Sequence, residues 1–295
     1  MNSDLPYTTA EAFDAGLADR IRAAATAGRH SINELRRQFA YDRLLVRLFD
    51  SDATPWILKG AGGLLARMPA SARHSMDLDL FYEGQFEEAT VLLQKAALRD
   101  VGDFFSFDIS QIRGAQLTNA RRLRAVAYLG NKAFEQFRID LVIASNMTQE
   151  PDRVEPLRPV DVPGLPTSSY LVYPLVDHIA DKHAAMLTRY NDGSPSTRYR
   201  DLVDLMLIAD RQVIEAGPLR EALLSEYRAR GLDTPSRVDL PSEAWVDGYA
   251  AEVGPVEAVP ERTAAEAIEK LRRFLLPVLT DNATGQWNPA SRSWK

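Results

Sequence analysis

Residues 56–82, WILKGAGGLLARMPASARHSMDLDLFY, constrain the fold of this chain more than any other stretch. A short apolar strand runs into a lysine and a set of glycines, a helix opens over 60–67, and the segment returns as an alternating strand. In a strand, residues two apart face the same side. Asp77 and Asp79 therefore project together, while Leu78 and Leu80 enter the core. Two like charges that close need a counterion or a shared proton. A hard, oxygen-seeking ion such as Mg²⁺, or Mn²⁺ in its place, meets that need and brings phosphates with it.

A third carboxylate follows in FEQFRIDLVIA, where Asp140 stands among Ile139, Leu141 and Val142. An aspartate in such a run is costly to bury unpaired. If its strand neighbours the first, Asp77, Asp79 and Asp140 converge and can hold metal. The bland readings are a strand-edge D-x-D and an Asp140 that caps a strand end or pairs with Arg138. Upstream, Lys59 and Gly60 close one strand, and the glycines at 60, 62 and 63 begin a helix whose backbone N–H groups are free for an anion. Tight helix–strand packing is the competing reason for those glycines.

The rest of the chain sorts into regions. Two helices are expected over 8–27 and 31–50, with Thr8 and Ser31 as N-caps. A helix follows at 86–98. FFSFDIS, RRLRAVAYLG and FEQFRIDLVIA are strand-like, and Gly130-Asn131 turns between the last two. Five prolines between 151 and 166 mark a linker. Helices are then expected over 172–190, 197–211, 218–230 and 264–276, and the final TDNATGQWNPASRSWK reads as a loose tail. The expected fold is α/β, in two parts: N-terminal helices plus an α/β core over 1–150, and a mainly helical region over 151–295.

Composition narrows the function. The chain has 295 residues, 45% hydrophobic and 26% charged, which suits a globular protein. It has no cysteine, which excludes thiolate metal sites. No apolar run approaches a membrane span, and the N-terminus lacks a signal-peptide layout, so no membrane partner and a cytoplasmic location are expected. The net charge of −6 argues against a general nucleic-acid binder. Yet six basic residues and one acid lie between Arg113 and Arg138, and six acids with no base lie between Asp239 and Glu261. A local basic surface on an acidic protein can hold phosphates; a solvated face is the plain alternative.

On the helix over 172–190, His178, Lys182, Ala185 and Arg189 recur at spacings of three or four, so Lys182 and Arg189 are expected to face one way, toward a triphosphate. Asp201 and Asp204 are three apart on the following helix, and antiparallel packing brings Asp201 toward Lys182. A structural salt bridge tying a helical hairpin is the alternative. His178 and His183 are five apart, the wrong spacing for a helical zinc pair, and the four histidines are expected to make ordinary polar contacts.

The order of these features resembles the nucleotidyltransferase superfamily that includes polymerase β and the CCA-adding enzymes. It is most similar to the branch of AbiEii/AbiGii-type toxins, which includes the mycobacterial Men toxins. The resemblance rests on KGAGG at 59–63, on Arg73-His74-Ser75-Met76-Asp77-Leu78-Asp79-Leu80, on Lys182 in DHIADKHAAMLTR, and on RYRDLVDLMLI with Asp201 and Asp204. It covers roughly residues 55–210, and the alanine among the glycines departs from the pattern.

The resemblance implies a polymerase β-like core with a mixed sheet and transfer of a nucleoside monophosphate from an NTP to an acceptor hydroxyl. Asp77 and Asp79 are expected to hold Mg²⁺, with Asp140 completing the metal site. Lys59, Gly60, Lys182 and Arg189 are expected to bind the triphosphate, and Asp201 to orient Lys182. Ser75 is expected to donate to a phosphate oxygen and to be a point where phosphorylation would repel substrate; a hydrogen bond to its own loop is the plainer role. The implied acceptor is the 3′ end of tRNA, with Arg113–Arg138 and the Arg198/Arg200 pair as the RNA surface, and the implied partner is a neighbouring antitoxin. Two alternatives stand beside this reading: a metal-dependent D-x-D glycosyltransferase and a non-catalytic nucleotide- or RNA-binding module.

Overall fold

The computed structural model describes residues 5–28, 30–51, 53–117, 120–143, 146–189 and 192–295, with the side chains of 113–117 outside the description. The chain divides into two compact units. The first takes the residues up to Pro69, those from His74 through the fifth strand, and Arg153–Val172; the second takes Ala70–Arg73, Asn146–Asp152 and everything from Tyr173 on.

The first unit contains α1 (Ala10–Ala27), α2 (Ile32–Leu48), β1 (Trp56–Leu58), α3 (Gly60–Arg67), β2 (Asp77–Tyr82), α4 (Phe86–Ala97), β3 (Phe105–Leu117), β4 (Ala120–Leu129) and β5 (Lys132–Val142). β6 (Asp152–Val154) and β7 (Tyr170–Val172) complete a seven-stranded sheet in the order β3-β4-β5-β2-β1-β7-β6. The sheet is mixed: β2 runs parallel to β5 and β1 to β7, while β1–β2, β3–β4 and β4–β5 are antiparallel. One face is apolar, with Leu78, Leu80, Leu123, Ala125, Ile139 and Leu141 buried. α2 packs on β5, α4 on β3 and α3 on β2.

The local signals explain most boundaries. Ser31 caps α2 through a reciprocal capping box with Glu34. α1 is capped by Thr9, whose hydroxyl accepts from the Ala12 N–H, not by the expected Thr8. Gly130 turns between β4 and β5 with φ +56°, a left-handed conformation that favours glycine. The proline-rich stretch is more than a linker, because β6 and β7 both join the sheet. Three-residue strands between prolines are too short to show an alternation.

This unit also buries charge. Arg47 makes a fork to Asp103 at 2.9 and 2.7 Å and donates to the Phe105 carbonyl at 2.7 Å. Arg43 pairs with Asp42, which also accepts from the Tyr170 hydroxyl.

The second unit holds α5 (Leu175–Leu187), α6 (Tyr199–Arg211), β8 (Ile214–Glu215), α7 (Ala216–Ala229), α8 (Trp245–Val253), α9 (Ala264–Leu279), β9 (Gln286–Asn288) and β10 (Ser293–Trp294). The C-terminal segment is not a loose tail. β9 pairs with β8 and β10, Trp287 is fully buried, and its indole N–H donates to the Ala209 carbonyl at 2.7 Å. Phe274 and Trp294 stack with centroids 5.9 Å apart. α8 arises inside the acid-rich stretch because Trp245 anchors it, donating to the Ser196 carbonyl at 2.8 Å. No helix among the described residues is long and apolar enough to cross a membrane.

Candidate active site

The polar face of the first unit's sheet carries the aspartates. β2 and β5 are neighbours, as the three-carboxylate reading requires, with Asp79 directly opposite Asp140 and Asp77 opposite Arg138. On β4, Arg122 lies opposite Asp140 and Arg124 opposite Arg138. Cross-strand partners share a face, so Asp77, Asp79, Asp140, Arg122, Arg124 and Arg138 form one patch.

Two of the carboxylates are turned onto arginines. Arg138 makes a fork to Asp77 at 2.6 and 3.2 Å, and Arg122 makes one to Asp140 at 2.8 and 3.1 Å. Asp140 therefore pairs with Arg122 and not with Arg138. The hydrogen bond and charge of Asp140 raise the Arg122 guanidinium above its ordinary value. Asp79 lies against α3. Gly60 has φ +59°, and a side chain there would overlap the Asp79 carboxylate oxygen, so both backbone conformation and space demand glycine. Gly63 answers to packing, since a Cβ there would press on Val172 and the Leu58 carbonyl. The glycine cluster thus serves both purposes weighed from the sequence. The start of α3, which has no side-chain cap, favours negative charge beside it.

Among the described residues no three carboxylate or imidazole groups are gathered closely enough to hold a metal ion as they stand. The donor set nonetheless suits a hard cation: oxygen only, partly exposed, at adjacent register positions on one face. The arginine forks over Asp77 and Asp140 are half open to solvent, and such pairs are worth no more than about 1 kcal/mol. Opening them costs little.

Ser75 takes the plainer of its two expected roles. Its hydroxyl donates to the Asp77 carbonyl at 2.6 Å, and the residue is 5% exposed. It braces the entry to β2 and does not present its hydroxyl to a phosphate in this arrangement. The expected RNA surface is also largely paired. Arg121 bonds Glu87 and lies over the Phe86 ring, Arg122 holds Asp140, and Arg200 bonds Glu252. Arg124 remains exposed, and the Arg113 side chain lies outside the described residues.

In the second unit, α5 and α6 bring Lys182 to Asp201 at 2.8 Å, as the helical spacing predicts. The structure adds two groups. Asp204 also accepts from Lys182, at 2.7 Å, and Arg73 makes a fork to Asp204 at 3.0 Å on both arms. Arg198 donates to Asp201 at 2.5 Å. Burial pulls the Lys182 ammonium down, but Asp201 and Asp204 overcome it and hold the group above its ordinary value. Burial would likewise raise Asp201, yet Lys182 and Arg198 hold it down at about 2. Asp204 sits one α-helical step from Asp201 on α6, a signal in the same sequence motif that singled out its neighbour.

Arg189 does not share the Lys182 face. α5 ends at Leu187, capped by Thr188, so the helical phase is lost before residue 189. Arg189 instead donates to the Gly193 carbonyl and lines a cleft of about 460 Å³ with Arg237 and Asp239. His183 makes the ordinary polar contact expected of it, 2.6 Å from the Tyr227 hydroxyl, and burial lowers its pKa to about 4.

The fold with a D-x-D strand beside a third strand carboxylate is that of a nucleotidyltransferase toxin. MenT4, a nucleotidyltransferase toxin from Mycobacterium tuberculosis H37Rv, superposes with a TM-score of 0.54 at 16% identity, over 90% of this chain and 98% of that one. No curated protein sequence matches the chain. Residues 43–289 match the family described as nucleotidyl transferase AbiEii toxin, Type IV toxin–antitoxin system, and the chain belongs to that family. It is thereby a nucleotidyltransferase-family toxin whose family implies an antitoxin partner, and the glycosyltransferase reading gives way.

Proposed function

We propose that this protein transfers a nucleoside monophosphate from an NTP to a 3′-hydroxyl of tRNA, in the cytoplasm, and so blocks translation until its antitoxin intervenes. The observation that carries the reading is the register of β2 against β5, which sets Asp79 beside Asp140 with Asp77 on the same face. The reaction forms a bond from the acceptor oxygen to the α-phosphorus and breaks the bond from that phosphorus to the bridging oxygen, releasing pyrophosphate. Asp77, Asp79 and Asp140 would hold Mg²⁺, which would supply charge stabilisation for the attacking and leaving oxygens. Asp140 accepts the hydroxyl proton once Arg122 releases it. Gly60 keeps the α3 N-terminus close to Asp79, and Lys59, next to it in the chain, contributes positive charge for the triphosphate. Lys182 and Asp201 keep the part that the resemblance gives them, with Asp201 and Asp204 holding the lysine as a cation and Arg73 anchoring Asp204.

The test is incubation with total tRNA, Mg²⁺ and each α-labelled NTP in turn. Label should enter the RNA with at least one NTP, and Asp79→Ala should lose it by a factor of ~10³ or more while still folding. Label appearing only on protein would replace the acceptor. Equal transfer by Asp77→Ala and Asp79→Ala would end the assignment of this face.

A further inference from the structure

The sheet-face arginines are the part of the patch that the family motifs do not account for. Arg122 and Arg138 come from β4 and β5, outside the glycine turn, the D-x-D strand and the helical lysine–aspartate elements. Each stands at the register position directly across from an aspartate and binds it with two donors. A merely structural pair would be expected to be enclosed, as Arg47 and Asp103 are at 0% exposure for both side chains. The Arg138 and Arg122 side chains are instead 50% and 40% exposed. They cover the metal-ligand carboxylates and are held there weakly.

We propose that Arg122 and Arg138 are exchange residues: they neutralise Asp140 and Asp77 before substrate binds and turn to the triphosphate when a metal–nucleotide complex takes the carboxylates. This rests on the proposed transferase reading and extends it to two substrate-binding side chains. The charge balance supports it. Asp77, Asp79 and Asp140 alone would bind a divalent ion without substrate, whereas two guanidinium groups beside them make the bare ion compete with fixed positive charge. A nucleotide removes that competition, because its phosphate oxygens accept the same forked donors that the carboxylates release. The arginines thus make metal binding depend on nucleotide binding, a coupling that works equally in both directions.

The experiment is calorimetric titration of the intact protein with Mn²⁺ alone, and then with Mg²⁺ plus each of four NTPs in α,β-methylene form. Arg122→Ala and Arg138→Ala should bind Mn²⁺ alone several-fold more tightly than wild type, because a neighbouring fixed cation has gone. The same variants should bind the best nucleotide analogue about tenfold more weakly. Arg138→Lys, which keeps charge but not the fork, should leave Mn²⁺ affinity near wild type and still weaken the analogue. Wild-type nucleotide binding with variants unchanged toward both probes overturns the exchange while leaving the transferase reading intact. A loss confined to tRNA binding overturns it in favour of an RNA contact. Failure of the wild type to bind any analogue overturns both readings together.

Discussion

Two sets of arginine–aspartate pairs in one sheet unit have the same chemistry and opposite surroundings. Arg43, Arg47, Asp42 and Asp103 are enclosed, while Arg122–Asp140 and Arg138–Asp77 lie on the open face of the same sheet. Enclosed charges have lost their hydration, so removing one partner strands the other. Open pairs trade partners at little cost because water and other ions compete on nearly equal terms. Location therefore decides whether such a pair is a structural tie or a movable one.

Mutation of the enclosed set should have the largest effect. Arg47→Ala should destabilise the first unit by ~3–5 kcal/mol, because buried Asp103 loses its fork and keeps only the longer 3.6 Å contact to Arg43. Urea unfolding monitored in that unit would show it, and a loss below ~1 kcal/mol would erase the distinction between the two sets. The second unit extends the contrast to titration. His183 is neutral in the fold, its pKa lowered from 6.5 to about 4 by burial. In that window the unfolded chain binds the proton and the folded one does not. The contribution is whole above pH 6.5 and is lost as pH falls toward 4, by ~3 kcal/mol. A pH series of unfolding free energies should slope across that range, and His183→Asn should flatten it.

Asp201 should act lower and more weakly. Its pKa falls from 3.8 to about 2 beside Lys182 and Arg198, so its stabilisation is full above pH 3.8 and disappears toward pH 2, by ~2 kcal/mol. Asp201→Asn should remove that part of the acid limb. The smallest stability effect belongs to the open set: Arg138→Ala should change unfolding free energy by less than ~1 kcal/mol while weakening nucleotide binding. A loss comparable to that of Arg47→Ala would make Arg138 a structural tie.

Elements with a local period or a local cap were legible in the chain before any fold was known. β2 with its paired aspartates, the glycine-led α3, the Ser31–Glu34 box and the approach of Lys182 to Asp201 all follow from spacings of two to four residues, which backbone geometry converts directly into shared faces. The remaining features depend on contacts between distant segments. Arg122 and Arg138 met their aspartates through strand register across 18 and 61 residues of sequence, and Arg73 met Asp204 across 131. β6, β7 and β9 are three residues long, too short to carry a period, and exist because neighbouring strands satisfy their backbone groups. Thr188 ended α5 before Arg189 could keep its phase. Which guanidinium covers which carboxylate, and whether water reaches the pair, is set by packing among distant segments, and no local spacing encodes it.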